Sequence, residues 1–257
     1  MAVVSVEYRG RVAVVTIANE KKLGLNEVAA RAEVFVTVLV GTGRFFSAGA
    51  DISSPRESPS LPADAHRLWL QSFVAFNLNV THAFAHHPKV LVVGLNGPVV
   101  GLSAALVGWA DFVYCAPGAW LLTPFSTLGL VAEGGASRAL AARLGPAAAA
   151  EALLMSRRLE PQRLLQCGFA NAVWDDVARG DDAAFRARLL REVDDWLGER
   201  LNGESMLRIK KLLRRPDALA HDAQNVREVF AGLDRFVEGV PQAEFRKLAS
   251  GEKRHKL

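Results

Sequence analysis

The stretch Leu95-Asn-Gly-Pro-Val-Val-Gly-Leu-Ser-Ala-Ala105 carries the reading of this chain. Ahead of it, Val90-Leu-Val-Val-Gly-Leu95 is an apolar run of strand length. Asn96-Gly97-Pro98 breaks the strand, and Gly101 opens an Ala/Leu-rich helix to about Trp109. The helix therefore starts at Leu102. First-turn N–H groups lack intrahelical acceptors, and with the helix dipole they favour a negative charge.

Upstream lies a related stretch, Gly43-Arg-Phe-Phe-Ser-Ala-Gly-Ala-Asp-Ile52. It follows the β-branched run Val34–Val40, which Gly41 closes. A small residue behind a glycine, Ala50 behind Gly49, lets backbone come close to a ligand. Further out, Val3–Ala18 reads as a β-hairpin around Arg9-Gly10, and Glu27–Glu33 as a short helix. Ser53–Pro62 reads as a surface loop and Ala63–His86 as a long helix. Asp111–Cys115 and Trp120–Thr123 read as short strands. Helical spacing then dominates, in 147–155, 161–167, 181–201, 204–214, 217–238 and 241–250. The expected class is an α/β core with a helical C-terminal subdomain, divided at 1–190 and 191–257.

Composition narrows the function. Half of the 257 residues are hydrophobic, enough for a buried core. There is no charge-free run of 18 apolar residues, so no membrane span is expected. Met1–Glu7 does not read as a signal peptide. Cys115 and Cys167 lie in apolar stretches and are expected as reduced, buried thiols. The net charge is +4, with Arg208, Lys210, Lys211, Arg214, Arg215, Arg246, Lys247, Lys253, Arg254 and Lys256 late in the chain. Two readings of these cations stand side by side, solvated helix faces or an anion site for the phosphates of a cofactor-like substrate. No aromatic-interleaved basic stripe points to nucleic acid. Gly41-Thr42-Gly43 fails as a dinucleotide fingerprint, because Phe46 stands where a third glycine belongs. No phosphate loop and no nucleophile elbow are present, and the histidines are not spaced as metal ligands.

The segments 43–52 and 95–105, the latter running into Asp111-Phe-Val-Tyr-Cys115, resemble the crotonase (enoyl-CoA hydratase/isomerase) superfamily in order, spacing and strand context. The resemblance covers about residues 3–175. It implies a crotonase/ClpP-like spiral of ββα units. It also implies an acyl-CoA substrate, no cofactor beyond the coenzyme A of that substrate, and assembly as a homotrimer or homohexamer through the C-terminal helices. The N–H groups of Ala50 and Leu102 would form an oxyanion hole for a thioester enolate, where losing one donor costs ~10²–10³ in rate. Ala48, Gly49, Asp51 and Ile52 would line the substrate path.

The resemblance also selects among reactions. Hydratases of this superfamily carry two glutamates, and their places here hold Ala105 and Phe125. Without a group to activate water, hydration is not expected. Phe125 is instead expected to contact substrate. Pro124-Phe-Ser-Thr-Leu-Gly-Leu-Val-Ala-Glu-Gly-Gly135 resembles fungal peroxisomal Δ3,Δ2-enoyl-CoA isomerases and puts their catalytic glutamate at Glu133. Its apolar neighbours Leu128, Leu130, Val131 and Ala132 would desolvate it and favour a shuttling base. A helix N-terminal carboxylate is the other reading of Glu133. Asn77 interrupts the apolar run from Phe73. It is read either as steadying Glu133 or the substrate, or as a helix-surface residue.

The expected activity is conversion of a 3-enoyl-CoA to the trans-2-enoyl-CoA. Its rivals are a dienoyl-CoA isomerase, a thioesterase, or a catalytically inactive acyl-CoA-binding protein. The last is suggested by the segment Asn26–Glu33, which is short for a helix of this superfamily. His255-Lys256-Leu257 resembles a Ser-Lys-Leu peroxisomal address, so the peroxisome is the expected location, with import-receptor binding, and otherwise the cytoplasm.

Overall fold

A computed structural model describes residues 4–17, 25–50 and 62–254. Strands β1 (Val4–Arg9) and β2 (Val12–Ile17) form the antiparallel hairpin, turning at Gly10. Helix α1 (Leu25–Ala30) leads to β3 (Val36–Gly41). Helix α2 (Pro62–Trp69) runs through a π-helical segment, Leu70–Val74, into α3 (Ala75–Ala85). Then come β4 (Val90–Leu95), the two-residue β5 (Val99–Val100), α4 (Leu102–Leu106), β6 (Phe112–Cys115) and β7 (Leu121–Leu122). A π-helical segment, Ala136–Leu140, opens α5 (Ala141–Leu153), and α6 (Pro161–Gln166) and β8 (Ala172–Val173) follow. Four helices complete the described chain: α7 (Asp182–Leu197), α8 (Gly203–Arg214), α9 (Ala218–Val237) and α10 (Val240–Ala249).

The main sheet has the order β1-β2-β3-β4-β6-β8, parallel beyond the first hairpin. Every residue of β3 and β4 is buried, as a parallel sheet covered on both faces requires. Alternation splits the strand residues between two cores. Ala13, Val15, Leu39, Leu91 and Val93 face the larger core with α4 and α5. Val12, Val14, Val38, Val90 and Val92 face Phe185, Leu189 and Val193 of α7. Gly94 in β4 makes room for α7, since a Cβ there would lie 2.4 Å from Leu189 Cδ2. A third core joins Trp69 and Val74 to Val229, Leu233 and Phe236, so α9 closes over α2 and α3.

Several boundaries differ from the sequence reading. The long helix expected over Ala63–His86 is interrupted by its π segment, with no side-chain cap at either change. The helical stretch at 147–155 starts earlier and kinks at Gly145, where Pro146 follows and φ is 76°. The short helix is Leu25–Ala30, displaced from Glu27–Glu33, because Leu25 and Val28 are the residues that reach the core. Cys115 is buried and its thiol is pushed up to about 12 by burial, whereas Cys167 is only half-buried. The expected loop falls outside the described residues up to 61, as does the tripeptide His255–Leu257.

Candidate active site

The site grows from two glycines with left-handed backbones. Gly49 has φ 80° and Gly101 has φ 67°, a region that side chains disfavour. The loop 46–50 is laced to the strand before α4. Pro98 O accepts from the N–H groups of Phe46 (2.9 Å) and Ser47 (3.2 Å), and Val100 N–H donates to Ser47 O (3.0 Å). A Cβ on Gly49 would lie 3.1 Å from Val100 O, and one on Gly101 would lie 3.9 Å from Gly49 Cα. The two motifs of the sequence are therefore one surface, with Ala50 exposed on one side and Leu102, first residue of α4, half-buried on the other. Ala48 and Gly49 belong to the same loop, and Asp51 and Ile52 lie outside the described residues.

A third turn packs on that surface. Glu133-Gly134-Gly135 has consecutive left-handed glycines, with φ 70° and 81°. A Cβ on Gly134 would stand 2.8 Å from Leu102 Cδ1 and 3.0 Å from Ala105 Cβ. The place of Ala105 is thus filled by the neighbouring turn, and a longer side chain there would collide with it. The Trp109 indole N–H donates to Gly134 O at 2.9 Å, and a Cβ on Gly135 would lie 2.4 Å from the Trp109 ring. Both glycines are needed for backbone shape and for space.

Glu133 itself is half-buried and meets Asn77 from α3, whose Nδ2 donates to Glu133 Oε2 at 3.0 Å. Asn77 is only 2% exposed, which sets aside the helix-surface reading. Its Oδ1 is buried without a partner. The helix start beyond Glu133 does not use the Glu133 carboxylate as its cap. The N–H groups of Gly135 and Ser137 donate instead to Glu228 of α9, each at 2.8 Å. Phe125 is 2% exposed and sits within the larger core, against which Leu102, Leu130 and Ala132 pack. Among the described residues no cluster of His, Cys, Asp and Glu has the make-up of a metal site.

The sequence reading missed Trp109 and Glu228. A signal for Glu228 exists. It shares the buried stripe of α9 with Asn225, Val229, Gly232, Leu233 and Phe236, so it is a carboxylate at an apolar helical spacing.

Residues 16–247 match the family model described as enoyl-CoA hydratase/isomerase. The chain belongs to this family. Among its relatives, the Delta(3,5)-Delta(2,4)-dienoyl-CoA isomerase of Pyricularia oryzae is 58% identical, with 99% of each chain covered. That alignment runs over 277 positions against the 257 residues here, so at least 20 positions of the relative have no counterpart in this chain. The 3,2-trans-enoyl-CoA isomerase of Saccharomyces cerevisiae is 35% identical, covering 88% of this chain and 81% of the relative. An enoyl-CoA hydratase/isomerase structure from Pseudoalteromonas atlantica T6c superposes over all of both chains with a TM-score of 0.80 at 21% identity, a likeness of fold. The family fold is the expected one, an α/β core with a parallel-dominated sheet and a helical C-terminal region.

Proposed function

We propose that this protein is an enoyl-CoA isomerase that converts 3-enoyl-CoA, cis or trans, to trans-2-enoyl-CoA, with Glu133 as its one acid–base group. The observation that carries this is the Asn77–Glu133 hydrogen bond beside Leu102 and Ala105. A half-buried carboxylate oriented by a buried amide, next to a helix start, is the arrangement a proton shuttle needs.

In the proposed reaction Glu133 takes a proton from C2. The C–H electrons form a dienolate, and the charge on the thioester oxygen is held by the N–H groups of Ala50 and Leu102. Neither N–H has an acceptor among the described residues. Protonated Glu133 then returns the proton to C4, which leaves the double bond between C2 and C3. Every proton and electron pair is accounted for without a cofactor, coenzyme A being part of the substrate. Hydration is disfavoured because Ala105 and Phe125 supply no second carboxylate, and Gly134 leaves no space for one at 105.

A dienoyl-CoA isomerase is the second reading, favoured by the name of the Pyricularia oryzae relative. It needs the proton returned at C6, a task for which a second acid is expected. Glu228 is the other carboxylate bonded to this turn, and both its oxygens are committed to backbone N–H groups. The deciding assay follows 3-hexenoyl-CoA and 3,5-octadienoyl-CoA with the wild type and Glu133→Ala. Turnover of the monoene, reduced ~10²–10⁴-fold in the variant, is expected. Turnover of the diene alone would replace the first reading with the second. Binding without turnover of either would favour an acyl-CoA-binding protein.

The proposed setting is the peroxisome, on the resemblance to peroxisomal isomerases. The whole chain carrying an N-terminal fluorescent protein should co-localise with a peroxisomal marker, and diffuse fluorescence would overturn this. Assembly as a homotrimer or homohexamer is proposed on the same ground.

A further inference from the structure

We infer that Glu228 is the positioning residue of the catalytic turn, holding Glu133 in place from a helix more than ninety residues further along the chain. The inference rests on the reading of Glu133 as the base.

The turn Glu133-Gly134-Gly135 is closed locally by one backbone hydrogen bond, from Ala136 N–H to Glu133 O at 3.2 Å. Its two glycines are the residues with the widest conformational choice, and no side chain nearby in sequence caps the helix that starts at Ala136. The side chains that fix it come from elsewhere. Trp109 donates to the carbonyl of Gly134 from one side. Glu228 takes the other side, where Oε2 accepts from Gly135 N–H and Oε1 accepts from Ser137 N–H and from the Ser137 hydroxyl. Gln224, one turn earlier on α9, donates to the same hydroxyl at 2.9 Å. The N–H groups that a helix start leaves without partners are thus met by a charged acceptor from a separate element.

Glu228 is 4% exposed, and burial pushes its carboxyl above the usual range against the pull of Ser137 and Gly135. A buried carboxylate is a costly way to cap a helix. Its geometry gives a specific return, because both oxygens grip the backbone within four residues of Glu133. It is not placed as a second proton carrier, since it is buried and both oxygens already accept hydrogen bonds from the turn. Helix α9 also packs on α2 and α3, and α3 carries Asn77. One helix therefore sets both the turn that bears Glu133 and the helix that orients its side chain.

The test is a kinetic cycle on the full chain with 3-hexenoyl-CoA. Glu228→Gln keeps the volume but presents an amide N–H to one of the two backbone donors. Its kcat is expected to fall on the order of 10–100-fold, with KM within about a factor of three, because misplacing a base harms chemistry more than binding. In a Glu133→Ala background the same change should cost nothing further, since it acts through a group already removed. A purely structural role predicts the opposite pattern, a lower melting temperature with unchanged kcat per folded molecule, and that result would overturn the inference. Should Glu228→Gln not fold, Glu228→Asp decides, because its shorter arm draws the carboxylate away from the Gly135 and Ser137 N–H groups: a lower kcat at constant KM supports the inference, and an unchanged kcat overturns it. The two readings fail separately. Wild-type turnover in Glu133→Ala removes the base, whereas an inactive Glu133→Ala beside a fully active Glu228→Gln removes only the positioning role.

Discussion

At the scale of single residues, the site is built by small side chains making room for one large one. Ala105, Gly134 and Gly135 have little or no side chain, and the turn they admit carries Glu133 onto α4. Ala105→Glu should therefore not create a hydratase. The new side chain would meet Gly134 at a buried position, where overpacking costs ~1–3 kcal/mol before the charge is counted. A lowered melting temperature, lost isomerase activity and no hydration of 2-enoyl-CoA are expected, and measurable hydration would contradict this account. Asn77 supports the other end of Glu133. Removing its amide in Asn77→Ala deletes a hydrogen bond to a charged group, worth ~1.5–3 kcal/mol, and kcat should drop about 10-fold or more. An unaltered kcat would show that the carboxylate holds its place without α3. Much of the arrangement of this candidate site was legible in the sequence. Glu133, Ala50 and Leu102 stand in motifs with fixed spacing, and Asn77 is conspicuous as a polar break in an apolar run. Trp109 was not legible, and Glu228 only as a carboxylate in an apolar helical stripe, because their partners are backbone groups of a distant turn and no local pattern records such a pairing.

Elements meet at a buried polar junction behind the sheet. Thr37 on β3 shares a 2.7 Å hydrogen bond with His87, which follows α3 and is 3% exposed. Asp111, at the start of β6, is bridged by Lys210 (2.7 Å) and Arg214 (2.8 Å) of α8. Burial alone would raise the Asp111 carboxyl, but the two cations outweigh it and hold it below the usual range. Burial lowers the Lys210 ammonium more than Asp111 restores it. For His87 burial dominates, Lys210 and Lys89 add to it, Asp111 opposes it, and the imidazole falls from 6.5 to about 3. His87 is therefore neutral in the folded protein and takes up a proton on unfolding below its ordinary value. Its contribution to stability is complete above pH 6.5 and is lost as pH falls toward 3, by at most about 1.4 kcal/mol per pH unit. Urea unfolding at pH 7 and pH 5 should show a steeper loss for the wild type than for His87→Gln, and equal slopes would contradict the assignment. Element boundaries were less legible than element types. The strand β4 matched its apolar run, whereas β5 and β8 have two residues each and are held by partners rather than by any pattern of their own. The π segments likewise lie at packed junctions, of α2 and α3 on α9 and of the Glu133 turn on Trp109.

For the whole molecule, the class of fold followed from the order of its patterns, since apolar strands alternating with helices and then helices alone leave few architectures open. What that order could not give is the closure of α9 over α2 and α3, which couples the C-terminal helices to the turn that carries Glu133. The same helices carry the proposed assembly surface. Ile209, Leu212 and Leu213 on α8 and Leu219 at the start of α9 are 56%, 66%, 74% and 85% exposed. They stand among Arg208, Lys211, Arg214 and Arg215, so the surface combines apolar area with a polar border, the make-up of an interface centre and its rim. If this surface joins subunits, Leu212→Glu together with Leu213→Glu should move the molar mass seen by light scattering from a multiple of 27.8 kDa toward the single chain. The mass alone does not separate assembly from catalysis, but the Glu228 contacts do. Loss of partners that leaves α9 docked should preserve turnover per chain. Loss of turnover together with mass would mean that the partner subunit holds α9 down. A wild-type chain already at 27.8 kDa would remove the assembly proposal while leaving the Glu133 site untouched.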